Sequence, residues 1–211
     1  MKTEKDFTNK KIILASQSPR RHSLIKKLNI DFDVVSPNFD EKLDTDNYSD
    51  ESIQSLSLKK AMSVLDLNQQ GTDFLLYKNC LIVSADTVVV LDNKIYGKPK
   101  NEECAKKMLS QLSNRTHFVV TAVSVVDADT KNFITRLVKT YVTFQDLSES
   151  LIDSYVKNQK PLDKAGAYGI QEMGSEFIKD VQGDLENVIG LPTKTLKKML
   201  EEFGYKFHIV N

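Results

Sequence analysis

The sequence predicts a mixed α/β fold, in which helices flank a sheet of mixed strand direction. Three observations predict it. Leu81 to Leu91 (LIVSADTVVVL) is the strongest strand signal in the chain. Helix-type and strand-type segments are interleaved along the sequence. Two turn signals, Asp92-Asn93 and Asp129 to Asn132, sit between strand-like stretches, so hairpins are expected beside the interleaved units and the sheet is not purely parallel.

Taken in order, Lys11 to Ala15 (KIILA) reads as a short buried strand. A polar turn, Ser16-Gln17-Ser18, leads to Pro19, and proline in the first position after a serine cap starts a helix. Leu24, Ile25 and Leu28 then recur at helical spacing, and an extended stretch follows from Phe32 to Val35. Ser49 can cap a helix reaching about Leu67, with Asp50 and Glu51 at the positive end of its dipole. Residues 68–79 read as a loop. Lys94 to Tyr96 returns from the Asp92-Asn93 turn, and Asn101 caps a helix carrying Ala105, Met108, Leu109 and Leu112. His117 to Asp127 and Phe133 to Phe144 read as an antiparallel pair. Ser148 opens a helix through about Asn158. Residues 163–190 read as glycine-rich and irregular, Thr193 to Phe203 as an amphipathic helix, and Tyr205 to Val210 as an edge strand.

The 211 residues are enough for one α/β domain or two small lobes. Lys+Arg and Asp+Glu are each 29, so the basic excess usual in a nucleic-acid binder is missing. Two cysteines, Cys80 and Cys104, make neither a disulfide framework nor a metal-type spacing. No apolar run reaches the roughly 18 residues of a membrane span, and MKTEKDFTNK has no signal-peptide apolar region. The expectation is a cytoplasmic protein with reduced thiols, no membrane partner and no nucleic-acid polymer as ligand.

Five segments carry candidate chemistry. Ser16 to Arg21 leaves a strand and enters a helix, so free N–H groups, two hydroxyls and two guanidinium forks make an anion site. The other reading is a capped helix with solvated arginines; that half of the four arginines lie here weakens it. Asp86, in Ser84-Ala85-Asp86-Thr87, is an acid inside an apolar strand and requires a metal, a cation or a proton, unless backbone N–H groups satisfy it. Lys98, in Gly97-Lys98-Pro99, is either a phosphate-binding ammonium or part of a surface turn. Lys164 to Gln171 is a glycine-bearing but apolar wall that ends in an amide able to read a base edge. Asn187 to Pro192 reads as structural. Together, these groups are what a triphosphate with a divalent metal requires. No P-loop or Rossmann glycine pattern is present.

Seven motifs then occur in order: LASQSPRR (14–21), FDEK (39–42), LKKA (58–61), SADTVV (84–89), GKP (97–99), DKAGAYGIQ (163–171), and GD followed by NVIGLP. In this ordered set the chain resembles the Maf family of nucleoside triphosphate pyrophosphatases over roughly residues 11–203. The resemblance implies an ITPase-like (Maf/Ham1) fold, two lobes around a central cleft, with residues 1–10 a tail and 11–211 a single domain. It implies hydrolysis between the α- and β-phosphates with Mg²⁺ or Mn²⁺, and a homodimer. Carried over by motif, Ser16, Arg20 and Arg21 hold phosphate oxygens, and Lys60 and Lys98 add positive charge. Asp86 with Glu41 positions metal and water, and Asp86 is the general base. Thr87 and Gln171 resemble the branch acting on dTTP and UTP. The alternatives are a 7-methyl-GTP pyrophosphatase and a non-catalytic nucleotide-binding regulator of cell division. The chain departs from the family pattern in Glu172, where a glycine is usual, and in SADT for SDT.

Overall fold

The structure is a computed structural model and describes residues 10–38, 47–70 and 78–207. Its framework is a seven-stranded mixed sheet, ordered β2-β1-β3-β5-β6-β7, with β4 paired to β3. The strands are β1 (Lys11–Leu14), β2 (Phe32–Val34), β3 (Cys80–Leu91), β4 (Lys94–Tyr96), β5 (Thr116–Asp127), β6 (Phe133–Phe144) and β7 (Ile178–Gln182). The helices are α1 (Pro19–Lys26), α2 (Asp50–Gln70), α3 (Glu102–Leu112), α4 (Glu149–Gln159), α5 (Leu185–Ile189) and α6 (Thr193–Glu202). β1 pairs in parallel with β2 and β3, and every other pairing is antiparallel. The predicted mixed sheet is therefore present.

Strand β3 organises the molecule. It is buried along its length except at Thr87, because both faces are covered, which is why it reads as mostly apolar around Ser84, Asp86 and Thr87. Successive side chains alternate between faces. On one face, α2 lies across the sheet: Ile53 packs with Val88 and Val90 near one end, and Ala61, Val64 and Leu65 pack with Ile13 and Ile82 near the other. On the opposite face the core is divided. Leu24 and Ile25 of α1 and Leu196, Met199 and Leu200 of α6 pack on Leu81, Val83 and Ala85. Leu109 and Leu112 of α3 and Ile152 and Val156 of α4 pack with Val89 and Leu91. Thr87 falls between these two clusters, so a gap opens there.

The register opens the sheet at the same place. β1 ends with Leu14 opposite Val83, and β4 begins pairing at Val89 with Tyr96. Among the described residues, Ser84 to Val88 consequently have no strand beside them on that edge, although β5 pairs with them on the other. Asp86 and Thr87 point to opposite faces at this opening, and a single cavity can reach both.

Local signals explain most element ends. The side chain of Asn101 accepts a hydrogen bond from Cys104 N–H, and that of Ser148 accepts from Leu151 N–H. Ser49 Oγ accepts from Ser52 N–H at 3.1 Å, ahead of α2. Asp92 and Asn93 both have positive φ, as a two-residue hairpin turn requires. Ser18 precedes Pro19 but makes no side-chain cap; its own N–H is instead taken by Ser16 Oγ at 3.2 Å.

The structure also corrects three expectations. α2 continues to Gln70 rather than ending near Leu67, because its polar last turn does not break a helix. Residues 163–190 are not wholly irregular: they contain β7 and α5, both five residues long. β7 (IKDVQ) lies at the sheet edge with one partner, so it lacks the apolar run that marks a central strand. Residues 205–207 form no strand; Tyr205 and Phe207 pack instead against the α1–α6 core, and 208–210 lie outside the described residues. Lys10 pairs with Asp127 at 2.8 Å and Asp129 at 3.1 Å; the rest of the expected tail, residues 1–9, lies outside the described residues. Among the described residues no helix is long and apolar enough to cross a membrane.

Candidate active site

A cavity of about 710 Å³ lies at the opening in β3. That is within the range of small-molecule sites, roughly 300–1,000 Å³. Ser16, Arg20, Arg21, Lys60, Asp86, Thr87, Lys98 and Gln171 all line it. Eight of the nine residues singled out from the sequence are therefore brought to one space. The ninth, Glu41, lies outside the described residues.

The loop after β1 forms the first wall. His22 Nε2 sits 2.7 Å from the Ser16 carbonyl oxygen, which ties the loop back to the helix that follows it. Gln17 hydrogen-bonds Ser36 across the loop. Arg21 is fixed from several sides: Nε donates to the Gly190 carbonyl at 2.9 Å, Nη2 donates to Thr87 Oγ1 at 3.1 Å, and Nη1 lies 3.5 Å from Ser16 Oγ. The Thr87 hydroxyl is itself held by Thr121 Oγ1 at 2.9 Å, and Thr121 donates to the Asn187 carbonyl at 3.1 Å. A planar fork anchored along one edge keeps its direction when an anion arrives.

The second wall is α2. Lys60 is 4% exposed, and its Nζ lies 3.2 Å from Asp86 Oδ2. Asp86 thus has a cation, one of the three things that its place in an apolar strand required. Lys60 is aimed by a set of hydroxyls one turn earlier: Ser84 Oγ donates to the Ser57 carbonyl at 2.6 Å, and Ser124 Oγ donates to Ser57 Oγ at 3.0 Å. These bonds lock α2 to β3 and β5 just below the ion pair.

The third wall is formed by the loop carrying Lys98 and by three short 3-10 turns, Pro161–Asp163, Ala165–Ala167 and Ile170–Glu172. The Gly97 carbonyl accepts from Gly166 N–H at 3.0 Å, which joins the two segments. Gly166 has φ +65°, and a Cβ there would come 2.8 Å from Val89 Cγ2, so only glycine fits.

The rim holds a chain of alternating charge. Arg20 Nη1 lies 2.9 Å from Asp163 Oδ2, Lys164 Nζ lies 2.9 Å from Asp163 Oδ1, and Lys164 also reaches Glu172 Oε1 at 3.2 Å. Burial pushes the Asp163 carboxyl up, but its hydrogen bonds from Lys164 and Arg20 outweigh this and hold it below the usual carboxylate range. Lys164 opens a candidate segment of the sequence and Asp163 directly precedes it, but the motifs give neither a role at the site. The signal available was the charged pair directly before an apolar, glycine-bearing stretch. Gly190, read as part of a structural segment, also supplies the acceptor for Arg21.

Among the described lining residues, five carry positive charge (Arg20, Arg21, Lys60, Lys98, Lys164) and three negative (Asp86, Asp163, Glu172). The excess suits a polyanion. No cluster of three or more metal-ligating side chains exists among the described residues. A hard divalent cation bound with substrate phosphates needs only one or two carboxylates and keeps several waters. Asp86, with Oδ2 engaged by Lys60, fits that modest demand.

Fold and site together define an α/β protein with a cleft of excess positive charge between two packed clusters, at an interrupted sheet edge. Residues 11–203 match the Maf-like protein family, and the chain belongs to it. It is 42% identical over 197 residues to the dTTP/UTP pyrophosphatase of Dictyoglomus turgidum, covering 93% of this chain and 97% of that one. It is also 42% identical to the dTTP/UTP pyrophosphatase of Clostridium botulinum, covering 91% and 98%. A nucleoside-triphosphatase (dITP/XTP pyrophosphatase) structure from Mycobacterium abscessus aligns over 92% of this chain and 97% of that chain at TM-score 0.47 and 15% identity, too remote to bear on the site.

Proposed function

We propose that the protein hydrolyses nucleoside triphosphates at the α–β bond, with dTTP and UTP as preferred substrates, giving the monophosphate and pyrophosphate. The observation that carries the proposal is the convergence of Arg20, Arg21, Lys60, Lys98 and Asp86 on one cavity, in a chain 42% identical to proteins named for this activity. In the reaction, water oxygen bonds to the α-phosphorus while the bond to the α–β bridging oxygen breaks. The electron pair leaves with pyrophosphate, and Asp86 takes the water proton. Arg21 and Ser16 hold phosphate oxygens, with Arg20 joining them once it exchanges Asp163 for substrate. Lys60 and Lys98 meet the charge that grows on the leaving group, where fixed cations count most.

Mg²⁺ or Mn²⁺, held by Asp86 and Glu41 together with phosphate oxygens, would lower the pKa of a bound water toward neutrality. The Lys60–Asp86 pair supports a chemical role, because a buried ion pair adds little stability over apolar residues of the same volume. The Gln171 amide offers a donor and an acceptor to a pyrimidine edge. A homodimer and a cytoplasmic setting complete the proposal.

A panel of triphosphates assayed with Mg²⁺ or Mn²⁺ tests it. dTTP and UTP should show the highest kcat/KM, above GTP, ATP and 7-methyl-GTP. A panel led by 7-methyl-GTP would reassign the base, and binding without turnover would make the protein a nucleotide sensor.

A further inference from the structure

We propose that Glu172 is a positioning residue for base specificity: it clamps the turn carrying Gln171, through Lys164 and Tyr155, and so sets the discrimination between pyrimidine and purine triphosphates. The inference rests on the nucleotide reading above. Gln171 sits in the Ile170–Glu172 turn, three residues long. So short a turn cannot hold itself; its local bond is Glu172 N–H to the Gly169 carbonyl at 2.9 Å. The side chain of Glu172 supplies what the backbone lacks. Oε1 meets Lys164 Nζ at 3.2 Å, and Oε2 lies 3.4 Å from the Tyr155 hydroxyl on α4. Tyr155 in turn accepts from Gly169 N–H at 3.0 Å.

The unit closes on itself. A Cβ on Gly169 would lie 3.0 Å from both Glu172 Oε2 and Lys164 Cε, so the two side chains fold over that glycine. Lys164 is 7% exposed, and a charge so buried is held by its carboxylate partners, Asp163 and Glu172. Gln171 lies between Glu172 and the rest of this unit and lines the cavity. An amide discriminates between bases only when its donor and acceptor are fixed, since selectivity comes from leaving the wrong partner unpaired. Releasing the clamp frees the amide, while Arg21 and Lys60 keep their partners outside this unit, Gly190, Thr87 and Asp86.

The test uses Glu172→Ala, Glu172→Gln and Tyr155→Phe in the full chain. Steady-state kinetics with dTTP and GTP are measured beside equilibrium binding of the α,β-imido analogues of the same nucleotides, with thermal melting as a check of folding. In Glu172→Ala, KM for dTTP should rise about five- to tenfold, the equivalent of roughly 1 kcal/mol. Its kcat should stay within about twofold and the GTP parameters unchanged, so the selectivity ratio collapses. Tyr155→Phe should shift the ratio in the same direction, and Glu172→Gln, which keeps the acceptor, should recover part of it. An equal loss for both nucleotides, or an unchanged ratio, overturns the clamp, as does a wild-type protein that binds both analogues equally. Selective binding of the analogues without turnover would defeat the hydrolase reading while leaving the clamp standing.

Discussion

The Asp86 carboxylate and the Lys60 ammonium lie 3.2 Å apart, both nearly withdrawn from water, at the wall of a cavity with excess positive charge. The proposed reaction asks this carboxylate to hold a divalent cation and to take a proton from water. Asp86→Asn keeps the volume and removes both abilities. Turnover should fall about 10²- to 10⁴-fold, the range for losing a positioned base, while binding of a dTTP analogue survives on Arg21, Ser16 and Lys98. Retained turnover would show that the base lies elsewhere. The identity of this residue was legible, because an acid inside LIVSADTVVVL has few ways to be satisfied. Its partner was not: Lys60 is 26 positions away, and only the docking of α2 brings it there. Thr87 shows the same limit. The motif marks it, but its hydrogen bonds to Arg21 and Thr121 come only from the packing of distant segments.

The joint between β5 and the turn at Ala165–Ala167 holds the third wall in place, and it contains a buried titratable group. His117 Nε2 lies 2.8 Å from the Tyr168 hydroxyl, and the ring packs edge-on against Phe144 and Tyr168. Burial lowers its pKa from 6.5 to about 4. As pH falls, the unfolded chain takes up the proton first, so stability present above about pH 6.5 is lost progressively toward pH 4. Urea unfolding should show a loss of about 2 kcal/mol between roughly pH 7.5 and pH 5 that a His117→Asn variant lacks. Equal slopes in the two proteins would mean the imidazole titrates freely. At this scale, elements with strong local signals were legible: capped helices such as α3 and α4, the β3–β4 turn, the long β5–β6 pair. β7 and α5 were not, because a five-residue edge strand and a five-residue helix take their shape from β6 and from the cleft rather than from their own periodicity.

Across the whole molecule the formal charge is zero, yet five cations against three carboxylates line the cavity among the described residues. A balanced composition hid this local excess of positive charge. What concentrates the charge is topology. Along β3, the pairing with β1 stops at Val83, the pairing with β4 starts at Val89, and the two cores on the opposite face part at Thr87, so residues from the β1–α1 loop, α2, β3, the Lys98 loop and the 163–172 turns meet at a single opening. The ordered motifs made that convergence legible as a resemblance, whereas the rim chain from Arg20 to Glu172 emerged only from the coordinates. The most direct test is phosphorus NMR of the products formed from dTTP with Mg²⁺. Equal amounts of dTMP and pyrophosphate, with no orthophosphate, are predicted; orthophosphate with dTDP, or an unchanged substrate, would contradict the assignment of this cleft to α–β cleavage.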